Sequence, residues 1–138
     1  MGNEYTIPEF PDSVVEEAFV AYLISHTISS NYVPFIKEFT TLNDEIISDC
    51  LNINVKTYRS YRDKTVELKP IQQEHTLAML SVLKHGVKVF DSKEKLTEWL
   101  QKPNYFFDNL PPFQFLKTIS GIQFLDHKLS SIESGDTI

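Results

Sequence analysis

Five basic residues, Lys56, Arg59, Arg62, Lys64 and Lys69, stand against Asp63 and Glu67 in VKTYRSYRDKTVELK, residues 55–69, of a chain whose net charge is −6. Cationic side chains at this density suit phosphate oxygens and base edges, and Arg in particular matches guanine O6 and N7. The charge is sorted along the chain. Residues 1–54 hold one Lys and nine acids, the strip is +3, and residues 70–138 come to −1. A local strip acts within a Debye length of about 8 Å, so acids elsewhere need not cancel it.

Other chemistries lack their residues. Cys50 is the one cysteine, set among apolar neighbours in IISDCLNI, which excludes an intrachain disulfide and a Cys-cluster zinc site and reads as a buried structural thiol. His26, His75, His85 and His127 have no HxH or HxxxH spacing, so no metal site is expected, and they read as ordinary surface or helix-flanking histidines. There is no Gly-rich phosphate loop and no GxSxG. The adjacent acids Glu16-Glu17 and Asp44-Glu45 point about 100° apart on a helix, which makes them first-turn partners of the helix dipole rather than a catalytic pair. The expectation is a protein that is not an enzyme and has no cofactor.

The elements that must carry the strip are helical. Apolar residues recur with helical period nearly everywhere and no alternating run argues for a strand, so the fold is expected to be all-α. A first helix is expected after Asp12 or Ser13, burying Val15, Ala18, Phe19, Tyr22 and Leu23, and FIKEF a short second one. Asn43 is placed as the N-cap of a helix burying Ile46, Ile47, Cys50 and Leu51. Asn52-Ile53-Asn54 reads as a tight turn, since Asn tolerates the left-handed conformation, and Asn54 caps the helix VKTYRSYRDK.

Pro70 suits a first helical position, and Ile71, Leu77, Leu80, Leu83, Val87 and Phe90 line one side of the helix that follows. Asp91 or Ser92 caps the next, which buries Leu96, Trp99 and Leu100 before Pro103, so Trp99 is assigned to the core. A loop, a helix over about 112–118 and a last helix ending at Gly135 complete the order. Two regions are expected, 1–69 and 70–138.

Two short helices joined by a three-residue turn form the helix-turn-helix pattern, placed at about 43–64. Leu51, Ile53, Tyr58 and Tyr61 fall where its helices lock together. Asn54, Lys56, Thr57, Arg59 and Ser60 fall outward, with Arg62 and Lys64 toward the end, and these seven are the candidate DNA-binding residues. The same spacing also describes a solvated helix face. Such modules read operator half-sites as dimers, so a homodimer is expected, and Val15, Phe19 and Tyr22 either supply its interface or cover the helix-turn-helix core. The adjacent aromatics Phe106 and Phe107 are candidates for a partner interface, because two neighbours in a loop do not easily both face inward.

The segment from Val89 to Gly135 resembles the C-terminal toxin-binding domain of Xre/MbcA/ParS-like antitoxins. The residues that carry the resemblance are Phe90 with its polar cap, Trp99-Leu100, the Pro103-Asn104 turn, Pro112 with Leu116, Gly121, and Ile132 to Gly135. The helix-turn-helix and the ELKP-led helix stand upstream in the family's order, extending the resemblance over about residues 43–135. Where the family has a Gly-rich stretch before its next proline, this chain has YFFDNLP.

The resemblance implies an antitoxin that silences a RES-domain toxin similar to NAD-degrading enzymes and represses its own operon by binding operator DNA. It also implies toxin contacts at Pro103, Asn104, Pro112 and Gly135, beside the adjacent aromatics Phe106 and Phe107 already named from the residues themselves, with the tail Asp136, Thr137 and Ile138 reaching the toxin's cleft. A transcription regulator without a toxin would explain the strip alone. The apolar runs are too short to span a membrane, and MGNEYTIPEF has acids and prolines where a signal peptide needs basic and apolar residues, so a soluble cytoplasmic protein is expected.

Overall fold

The computed structural model describes residues 7–135, and the described part is all-α. In chain order its α-helices are α1 (Glu17–Ser25), α2 (Asp44–Cys50), α3 (Val55–Ser60), α4 (Pro70–Phe90), α5 (Lys93–Gln101) and α6 (Ile119–Glu133). Three 3₁₀ segments, Ser30–Glu38, Tyr105–Phe107 and Pro112–Lys117, join them.

α4 is the axis of the molecule. Every residue from His75 to Leu83 is buried, as expected of a helix that is surrounded rather than laid on a surface. α5, α6, α1 and the Ser30–Glu38 segment all pack on it. At its start Pro70 supplies a pre-set φ, and Gln72 Oε1 accepts from the Lys69 N–H at 3.1 Å. Gly86 lets α5 approach, since a Cβ there would lie 2.6 Å from the Leu96 side chain. At its end Asp91 takes a left-handed φ of 70°, and Ser92 accepts from the Lys95 N–H to start α5.

Both halves of the chain feed one buried cluster, from Phe10 and Ile28 through Ile47 and Tyr58 to Leu100 and Leu129. Polar contacts reinforce the joint. Thr97 Oγ1 meets Thr40 Oγ1 at 2.9 Å and accepts from the Thr41 N–H at 2.8 Å, and Lys117 pairs with Asp49 at 3.0 Å. Cys50 is fully buried, which pushes its thiol up to about 12 and leaves it an inert core group.

Several expectations are corrected. α1 begins at Glu17, four residues beyond Ser13, and its partners from the core are Phe19 and Tyr22, while Val15 and Ala18 are exposed. Phe35 to Glu38 belong to a longer 3₁₀ segment with Phe39 as its cap, because the Pro34 ring would clash with the carbonyl four residues back in an α-helix. Ile71 lies on the open side of the first turn of α4, outside the packed stretch. His75 and His85 are buried rather than superficial: His75 Nε2 donates to the Leu116 carbonyl at 2.8 Å, and His85 bridges two carboxylates.

Candidate functional site

The strip begins with two caps. Asn43 Oδ1 accepts from the Ile46 N–H at 2.9 Å to start α2, and Asn54 Oδ1 accepts from the Thr57 N–H at 2.8 Å to start α3. Between them Asn52 turns the chain at φ 61° and donates from its amide to the Lys117 carbonyl. Leu51 and Tyr58 are buried and Ile53 and Tyr61 half-buried. α3 ends at Ser60, shorter than expected, and the chain continues through tight turns in which Arg62, Asp63 and Lys64 bond back to Arg59 and Ser60. Arg62 and Lys64 therefore sit past the helix rather than on it.

The candidate strip residues differ in their freedom. Lys56, Arg62 and Lys64 are exposed, with no carboxylate within 4.0 Å of their charges among the described residues. Asn54 is exposed but engaged as a cap, Thr57 is half-buried, and Ser60 Oγ donates to the Thr57 carbonyl. Arg59 is exposed yet held: its Nε donates to Asp44 Oδ2 at 3.0 Å, while Lys37 pairs with Asp44 Oδ1 at 2.9 Å. The hydrogen bond from Lys37, and then that from Arg59, keep the Asp44 carboxyl below its ordinary range.

The second surface is built on α5, α6 and the loop between them. Asn104 organises the loop: its N–H donates to the Leu110 carbonyl at 3.1 Å, its carbonyl accepts from Phe107 and Asn109, and its Oδ1 accepts from the Phe106 N–H at 2.9 Å. Asp108 and Asn109 follow at φ 59° and 62°. These two residue types tolerate the left-handed region, and so they close a turn without glycine.

Phe107 is driven inward and is only 1% exposed, which corrects the expectation that it faces a partner. It meets Trp99, Phe115 and Phe124 edge to face at centroid distances of 5.6, 4.9 and 5.5 Å. Its neighbours point the other way, Tyr105 at 81% and Phe106 at 42% exposure. With Leu110 and Phe124, at 44% and 47%, these are large apolar side chains left to solvent around a buried aromatic. Lys128 Nζ stands 3.7 Å over the Phe106 ring, which orients the ring and places a cation beside it.

Of the other expected contact residues, Pro103 and Gly135 are exposed, Asn104 is half-buried and Pro112 is buried. Gly135 ends α6 with φ 101°, as its placement after the helix requires. Asp136, Thr137 and Ile138 lie outside the described residues. Gly121 sits where a Cβ would meet the Phe115 carbonyl oxygen at 2.3 Å, so it permits α6 to start against the 112–117 segment.

Sequence reasoning does not single out Tyr105, Leu110 or Phe124. A signal exists for Phe124, because Ile122, Leu125 and Leu129 define the buried face of α6 and leave Phe124 off it. Among the described residues no helix is long and apolar enough to cross a membrane.

Neither the curated proteins nor the solved structures include a match to this chain. Residues 85–135, under half of the chain, match the family model of the antitoxin Xre/MbcA/ParS C-terminal toxin-binding domain, and that match supports an antitoxin role and, with it, a toxin partner.

Proposed function

We propose that this protein is an antitoxin that holds a RES-type, NAD-degrading toxin against the Tyr105, Phe106, Leu110 and Phe124 surface and represses its own operon through α2 and α3. The family match over 85–135 carries the reading, and it falls on the segment that bears the exposed aromatic surface. Large aromatics in the middle of an otherwise polar surface are the side chains that dominate protein interfaces. Pro103, Asn104 and Gly135 border that contact, while Phe107 and Pro112 support it from beneath. The tail Asp136, Thr137 and Ile138 reaches the toxin's cleft.

Operator contact falls to Lys56, Arg62 and Lys64, with Arg59 joining when its bond to Asp44 is exchanged for a phosphate. Two copies read two half-sites. They do not pair through Phe19 and Tyr22, which are buried in the core. The outward Val20 and Ile24 of α1 are the apolar positions open to a second copy.

The test is co-purification from the native operon, followed by assay of NAD consumption by the partner with and without this protein. The reading expects a toxin to co-elute and its NAD cleavage to be inhibited. Recovery of the protein alone, or an eluted partner whose activity is unchanged, overturns it.

A further inference from the structure

His85 is buried on α4, yet both of its ring nitrogens face carboxylates of α6. Nδ1 lies 2.8 Å from Asp126 Oδ1 and Nε2 lies 3.0 Å from Glu133 Oε1. A carboxylate only accepts, so the doubly bonded ring must donate from both nitrogens, and only the imidazolium can do that. The N-terminal segment closes the cluster: Ser13 Oγ donates to Asp126 Oδ2 at 3.5 Å, and Asp12 takes Lys88 of α4 at 3.1 Å. The charged groups around the ring are Asp126 and Glu133 of α6, Lys88 of α4, and Asp12 and Glu16 of the segment leading into α1.

We propose that His85, Asp126 and Glu133 form a proton-operated latch that fixes the C-terminal turn of α6 to α4. When the ring loses its proton it keeps one N–H and serves one carboxylate. Asp126 is 1% exposed, and abandoning it would strand a buried charge. The Glu133 side chain is 42% exposed and can turn to water. The remaining proton therefore stays on Nδ1, Glu133 lets go, and the last turn before Gly135 loosens.

The direction of the pH dependence follows from the ring's surroundings. The hydrogen bond to Asp126 raises the His85 pKa above the ordinary value of 6.5, burial opposes it, and the bond to Glu133 adds to the rise. A group raised in the folded state contributes its full stability below the ordinary value and loses it as pH climbs through the folded one. The latch is closed in acid and opens toward alkali.

The experiment uses the full chain alone, so its result is independent of any toxin or DNA. The His85 titration is followed by NMR while amide exchange of Ser131, Ile132 and Glu133 is measured, each rate normalised to its intrinsic value at that pH. Protection should hold below the His85 midpoint and fall about tenfold above it, the scale of one charge-assisted hydrogen bond. Glu133→Ala, which removes the acceptor at a half-exposed position that the fold does not depend on, should lower the midpoint and leave protection low at every pH. Protection that stays constant through the wild-type titration, or a midpoint that Glu133→Ala leaves in place, overturns the latch.

Discussion

Phe106 and Phe107 are consecutive and take opposite environments, because Asn104 binds the loop backbone and turns one ring into the Trp99, Phe115 and Phe124 cluster. Their substitution should separate stability from binding. Phe107→Ala empties a packed site and should cost about 3–5 kcal/mol in urea unfolding. Phe106→Ala should stay within about 1 kcal/mol, since the ring is only half-covered, while weakening the toxin complex. Equal destabilisation by both would mean that Phe106 is a core residue. Residue type alone makes both aromatics conspicuous as contact candidates, and Phe107 does not fit that role. Which of the two points outward depends on the turn that Asp108 and Asn109 close.

At the scale of elements, α2 and α3 are legible in the sequence because their information is local. Asn43, Asn52 and Asn54 occupy the two caps and the left-handed turn assigned to them, as each of these roles is set within three or four residues. The start of α1 and the 3₁₀ form of Ser30–Glu38 are not, since packing and Pro34 decide them rather than periodicity. The His85 cluster is invisible for a related reason: its partners lie 41 and 48 residues away.

The hold of Asp44 on Arg59 is likewise a matter of three-dimensional placement, and it reshapes what the strip should do. Lys56→Ala with Arg62→Ala should reduce the fall of log K with log salt by about 0.9 for each phosphate that the variant no longer neutralises. Gel shifts at several salt concentrations, with circular dichroism on the same preparations, measure this. Asp44→Asn should raise DNA affinity at low salt by freeing Arg59. An unchanged salt slope in the double variant would remove α3 from the DNA.

At the scale of the molecule, both halves of the chain share one core, so the α3 strip and the aromatic surface are carried on a common body. Separate tasks on one body predict separable losses. Deleting Asp136, Thr137 and Ile138 should leave the partner bound while relieving inhibition of NAD cleavage, because the anchoring surface is untouched. A truncated protein that inhibits fully would assign inhibition to the domain body instead. Val20→Ser with Ile24→Ser should shift sedimentation from dimer to monomer at micromolar concentration, and a wild-type protein that sediments only as monomer would exclude the α1 pairing.

The proposed toxin contact rests on the exposed aromatics around Phe107. Its most direct test is calorimetric titration of the co-purified partner into wild-type protein and into Tyr105→Ser with Phe106→Ser, both outward-facing, with thermal midpoints recorded for both. The double variant should bind at least about a hundredfold more weakly, about 2.7 kcal/mol, with both forms melting within a few degrees of each other. Wild-type affinity in the folded double variant would contradict it.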